Sequence, residues 1–214
     1  TSTFVTSDNN ATITLDQGGH AFTGALLITT NDNDAAPNDT DGDVTISAGS
    51  GAVLNFGTST IDGDLIATSS NTTGIIDSGV MTVGGNASFQ TGTDNADIVL
   101  DVGHAIAGKV TLNTTGSGGD ATLDNGTLNI ELGDGISVSG ATLATSVGGN
   151  LTLISGAAAG ITDALGEIVT VGGRFYATTD LNNGVINMGT LNILDGGTIK
   201  LDTHGSGDAT VVNA

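Results

Sequence analysis

The chain has 214 residues, a formal net charge of −20 and only three basic residues, Lys109, Arg174 and Lys200. Binding nucleic acid through phosphates needs a basic stripe, so this balance excludes DNA and RNA as partners, and an anionic membrane surface would repel the chain. There is no cysteine, hence no disulfide framework or thiolate metal site, and no run of apolar residues long enough for a helical membrane span.

The first periodic segment is residues 11–30, ATITLDQGGHAFTGALLITT, where Ile13 and Leu15 alternate with Thr and Asp. Next comes an acidic stretch, residues 31–43, NDNDAAPNDTDGD. Beyond it the same alternation returns at Val44/Ile46, Val110/Leu112, Leu128/Ile130/Leu132, Leu151/Leu153, Leu191/Ile193 and Ile199/Leu201. Apolar residues at every second position, with Thr, Asn or Asp between, predict half-buried strands. No stretch keeps helical spacing for three turns, because Gly and β-branched residues interrupt each one. The chain carries 35 Gly and only 3% aromatic residues. Its core must therefore be assembled from many small, similar layers joined by tight turns.

Internal repetition is the strongest signal. Residues 96–115, ADIVLDVGHAIAGKVTLNTT, echo residues 11–30; residues 147–177 echo residues 61–89, sharing a Gly-Ile-x-Asp turn and a V/M-T-V-G-G phrase; residues 201–213, LDTHGSGDATVVN, echo residues 112–125. One long unit of about 87 residues thus recurs. Inside it, Gly-rich turns followed by strands start at Ile61, Val83 and Ile106, then at Val147 and Val171, in steps of 21 to 24 residues. Both periods fit an all-β parallel β-helix (β-solenoid) with rungs of about 22 residues. About ten such rungs, stacked roughly 4.8 Å apart, would make a rod of about 45–50 Å. Tandem β-sandwich domains of immunoglobulin type also fit a unit of this length, although no buried Trp or Tyr corner recurs.

The segments VGGN, GDVTISAG, DGDLIATSS and GSGGDATL resemble the long repeats of bacterial giant exoproteins of the filamentous haemagglutinin type, over nearly the whole chain. The resemblance implies a right-handed parallel β-helix, secretion, and a role in adhesion, biofilm or surface filaments. It carries over no functional residue. The chain opens at Thr1 without Met, and its last residues, GSGDATVVNA, stop inside a segment that continues in the earlier copy. Residues 1–214 therefore read as one continuous solenoid segment, a slice of a longer repeat protein. Its expected partners are neighbouring repeats or identical subunits stacked end to end, with a surface receptor or glycan beyond them.

The acidic stretch supplies the metal candidates, Asp32, Asp34, Asp39, Asp41 and Asp43. Calcium takes six to eight oxygen ligands on a flexible loop, so alternate Asp residues suit it, but the Glu that closes an EF-hand loop is missing. No other cofactor is expected. His20 and His104 occupy equivalent places in two repeats, which points to a structural slot such as a turn histidine bonding a backbone carbonyl. Polysaccharide-active β-helix enzymes need clustered carboxylates or an Arg base together with sugar-holding rings. Here Arg174 is the only Arg, and most Asp residues sit in turns such as Asp62-Gly63-Asp64. The expectation is a non-enzymatic, extracellular structural or adhesive segment. A calcium- or carbohydrate-binding module is the alternative. An ice-binding threonine face, through Thr12/Thr14 and Thr111, fits poorly because the spacing is irregular.

Overall fold

A computed structural model describes residues 1–31, 42–133, 135–138, 141–142, 144–194 and 196–213. It contains no helix among these residues, is 55% strand, and winds about 8 turns of about 23 residues into a β-solenoid. Apart from one short hairpin, Ser137–Val138 against Ala141–Thr142, every strand pairing is parallel. Tandem antiparallel sandwiches are thereby replaced by a single stack.

The alternation dictates the stacking. Successive side chains of a strand point to opposite faces, so an in-register stack sorts them into columns. In one sheet Val44, Leu65, Ala87 and Val110 align, as do Ile46, Ala67, Phe89 and Leu112. All eight are fully or almost fully buried. In the other sheet Leu54, Ile75, Ile98, Ala121, Leu151 and Phe175 form the matching inward column. Each buried Leu, Ile or Val contributes about 1.5–3 kcal/mol relative to exposure. The core therefore grows turn by turn without large rings. Phe56 and Phe89 meet edge to face across it, centroids 6.2 Å apart. A short third face, Ser59–Ile61, Met81–Val83 and Ala105–Ile106, closes the middle turns.

The starts of aligned strands give the turn lengths directly. From Val44 to Leu65, Ala87 and Val110 the steps are 21, 22 and 23 residues. From Ile13 to Val44 the step is 31, and from Ala121 to Leu151 it is 30. Two turns thus carry extra chain, which is why about 8 turns appear and not ten. The acidic stretch falls, in sequence, within the first of these longer steps. Within the second, Gly133 and Gly135 are tied to neighbouring turns: Thr111 Oγ1 donates to Gly133 O at 2.6 Å, and Asn86 Nδ2 to Gly135 O at 3.2 Å.

The long repeat seen in sequence does not superpose on this winding. Ile13–His20 and Leu65–Ser69 belong to the 11-stranded sheet, whereas their sequence echoes Asp97–Leu100 and Leu151–Ser155 belong to the 12-stranded one. Val110–Thr115 and Thr198–His204 are divided the same way. A unit of about 87 residues is close to four turns of 21–23, but each pair of echoes spans one of the longer steps of 31 and 30 residues, so each copy begins at a different place on the coil.

Candidate functional site

Of the five aspartates expected to bind calcium, Asp32, Asp34, Asp39 and Asp41 lie outside the described residues. Asp43 is described, and its Oδ1 accepts the backbone N–H of Asp64 at 2.8 Å. That bond is the first step of a ladder. Asp64 Oδ1 accepts the N–H of Asn86 at 2.6 Å, and Asn86 Oδ1 accepts the N–H of Lys109 at 2.9 Å. A second ladder runs up the other corner. Asp97 Oδ1 accepts from Asp120 N at 2.9 Å, Asp120 Oδ1 from Asn150 N at 2.7 Å, and Asn150 Oδ1 from Arg174 N at 2.8 Å.

Each ladder residue stands at the start of a strand, directly before it or, for Asp97 and Arg174, as its first residue. At that corner the backbone N–H has left the strand pairing below, and the carboxylate or amide of the turn below replaces the missing acceptor. Each ladder ends on a basic residue, Lys109 or Arg174, whose side chain offers no acceptor to the next turn. The same geometry explains the glycines of the VGGN phrase. A Cβ on Gly85 would lie 2.3 Å from Asp64 Oδ1, one on Gly149 2.2 Å from Asp120 Oδ1, and one on Gly173 2.7 Å from Asn150 Oδ1. Only a residue without a side chain leaves the ladder oxygen its place.

The aspartate of the repeated Gly-Ile-x-Asp turn has a related task. Asp163 accepts the N–H groups of Gly189 at 2.6 Å and Thr190 at 2.7 Å, one turn ahead. Asp77 accepts from Val102 N at 3.2 Å and lies 2.7 Å from His104 Nε2, off the line of its N–H. His104 Nδ1 accepts the N–H of Met81 at 3.0 Å, so the ring proton sits on Nε2, facing the carboxylate. The imidazole is fully buried and the carboxylate nearly so. Burial holds the His104 pKa below its ordinary value of 6.5, against the opposing pull of Asp77, Asp124 and Asp101. Nδ1 is committed to the Met81 N–H and Nε2 faces the Asp77 carboxylate, which makes this buried pair a cross-turn clamp.

The histidine expectation divides. His104 bonds a backbone N–H and not a carbonyl, and His20, its counterpart in sequence, is half-buried and stacks on Phe22 at 5.6 Å between centroids. The two share a repeat position but not a place on the coil. The contact with a backbone carbonyl belongs to His204, whose Nδ1 meets Thr179 O. Thr14 heads an outward column that continues Thr45, Ile66, Ser88 and Thr111. Ile66 interrupts it and Ser88 and Thr111 are buried, so it is no threonine face.

Two of the three basic residues share one aromatic ring. Arg174 Cζ lies 5.7 Å and Lys200 Nζ 4.4 Å from the centroid of Tyr176, the only tyrosine. Lys200 also reaches Asp202 at 3.8 Å, an exposed pair worth little. Among the described residues no group of three or more His, Cys, Asp or Glu could hold a metal ion, and no helix is long and apolar enough to cross a membrane. The ladder residues were not separated from ordinary turn residues by the sequence reading. Their signal was the recurrence of Gly-Asp or Gly-Asn directly before a strand. Comparison with protein-family models, curated proteins and solved structures finds no match for this chain.

Proposed function

We propose that this chain is a stiff, acidic, extracellular rod segment, an architectural and adhesive part of a surface filament or matrix of the filamentous haemagglutinin type. The observation that carries the reading is the continuous cross-turn bonding. Backbone pairing in both sheets, two Asp/Asn ladders and the Asp77–His104 clamp tie each turn to the next. Nearest-neighbour coupling of this kind makes a solenoid whose stability and stiffness build up along its axis. The charge of −20 favours solubility and disfavours lateral association of like rods.

The terminal strands support end-to-end partners. Thr198–His204 and Ala209–Asn213 each pair on one side only among the described residues, and so do Ser2–Val5 and Ile13–His20. Ile199, Val212 and Val5 are 41%, 54% and 62% exposed. Such edges accept a further rung, from the same chain or from a neighbouring subunit. Antibodies against the 214-residue chain test the placement. They should label intact cells or extracellular matrix of the organism that makes it. Labelling only after lysis would reject an extracellular role.

A further inference from the structure

The short third face ends at Ala105–Ile106, and no further strand continues it among the described residues. The Asn125 side chain stands where the next strand would be. Its Oδ1 accepts the N–H of Ile106 at 2.8 Å, and its Nδ2 donates to Ile106 O at 2.9 Å. A two-residue edge strand has little backbone pairing of its own, so it belongs to the easily opened end of a fold. His104, directly before it, supplies much of what holds it. Nδ1 accepts the Met81 N–H at 3.0 Å, Nε2 faces Asp77 Oδ2 at 2.7 Å, and the His104 backbone N–H donates to Asp124 O at 2.8 Å. One residue thereby ties its own turn to the turns before and after it.

This arrangement admits only a neutral ring. A second ring proton would sit on Nδ1 and point at the Met81 N–H, donor against donor. The charge would also lie where no part of the side chain meets water. The titratable groups around the ring are all acidic: Asp77 at the end of Gly74–Asp77, Asp124 at the end of Ala121–Asp124, and Asp101 in the preceding loop. They favour the imidazolium, but burial outweighs them and holds the pKa below 6.5. Once swung into water the ring regains its ordinary value of about 6.5. Proton uptake therefore goes with opening, and acid favours the open form.

We propose that His104 is an acid-released latch: in mild acid the ring takes up a proton, leaves its slot, and lets the corner formed by Met81–Val83 and Ala105–Ile106 open locally. The two large sheets stay stacked. Met81, Val83 and Ile106 are fully buried in the closed form, so acid uncovers apolar surface that neutral pH hides. The inference does not rest on the rod reading, because the latch is built inside the stack wherever the chain is displayed.

The test is amide hydrogen exchange on the full isotope-labelled chain at pH 7.5 and 5.5, each rate divided by its intrinsic rate at that pH. With an open-state pKa of about 6.5 and a neutral closed ring, the open fraction rises about tenfold between the two. Protection of the Met81 amide should fall about tenfold, while Arg174–Asn182, further along the stack, keeps its protection. In His104→Gln the side-chain amide can still accept from Met81 and donate to Asp77 but cannot titrate, so Met81 protection should be equal at both pH values. Asp77→Asn should keep the pH response. Ring nitrogen shifts of the unaltered chain should show the Nε2–H tautomer at both pH values. Unchanged Met81 protection would overturn the proposal, as would a fall of the same size in His104→Gln, or its loss in Asp77→Asn, which would make Asp77 the titrating group. So would a protonated ring in the closed form, or an equal fall along Arg174–Asn182, which would mark global unfolding.

Discussion

Replacing Asn86 by alanine tests the ladders most sharply, because its side chain makes three cross-turn bonds. Oδ1 accepts from Lys109 N at 2.9 Å, and Nδ2 donates to Asp64 Oδ1 at 3.3 Å and to Gly135 O at 3.2 Å. The backbone N–H of Asn86 keeps its bond to Asp64, so the lower step of the ladder survives. A net hydrogen bond contributes about 0.5–1.5 kcal/mol, and the two Nδ2 bonds are long and partly exposed. Their sum with the well-formed Lys109 bond gives a loss of about 2 kcal/mol. For a domain of this size that lowers the melting temperature by about 4–8 °C. Urea denaturation measures the loss, and hydrogen exchange locates it: the Lys109 amide should exchange faster while amides two turns away keep their protection. Thr82→Ala, at an exposed outward position, is the control and should stay within about 0.5 kcal/mol. A loss from Asn86→Ala no larger than the control, with Lys109 still protected, would refute the ladder as a stabilising element.

Three further outcomes follow from the same geometry. Because burial lowers the His104 pKa in the folded state, the unfolded chain takes up a proton that the folded chain resists; stability is fully present above about 6.5, falls as pH drops below it, and the slope of urea midpoints between pH 7.5 and 5.5 should flatten in His104→Gln. A Cβ on Gly172 would lie 2.0 Å from Gly148 O, whereas one on Gly19 would meet nothing within 4 Å, so Gly172→Ala should cost on the order of 1–3 kcal/mol by urea denaturation and Gly19→Ala almost nothing. Millimolar calcium should raise the melting temperature over chelator if the aspartates of residues 32–43 hold the ion, and Asp43→Ala should reduce the rise; an identical melting temperature in both conditions removes calcium from the account.

Strand identity and parity were legible because they depend only on the alternation of neighbours. Val44/Ile46 and Leu151/Leu153 point inward as that pattern requires, and Ile193 packs against the core though only partly buried. The rung length was legible from the spacing of Gly-rich turns. The number of turns was not, because the sequence of residues 134–145, DGISVSGATLAT, alternates like a core strand, yet Ser137–Val138 and Ala141–Thr142 pair as a short hairpin inside a step of 30 residues. The placement of the long repeat was hidden for a different reason. A sequence repeat shows which segments are alike, but the phase of the winding decides which sheet each copy joins. His20 and His104 therefore look equivalent in sequence and are not so in space. The ladders were hidden in plain turn chemistry. Gly85-Asn86 and Gly149-Asn150 read as ordinary turns until the side chain from the turn below is seen to occupy the space a Cβ would need.

The in-register parallel stack underlies every reading above, and spin-label distances test it directly, helped by the lack of any native cysteine. Lys200, Tyr176, Thr152, Thr122, Val99, Ile76 and Asn55 form one outward column, each residue paired with the next. Pairs of introduced cysteines joining Lys200 to Val99, to Ile76 and to Asn55 span four, five and six strand steps along that column. At roughly 4.8 Å per step the separations should be about 19, 24 and 29 Å. Distances that rise by one strand spacing per turn are the expected result. Distances that fail to increase in that order, or that fold back as the sequence separation grows, would contradict the solenoid.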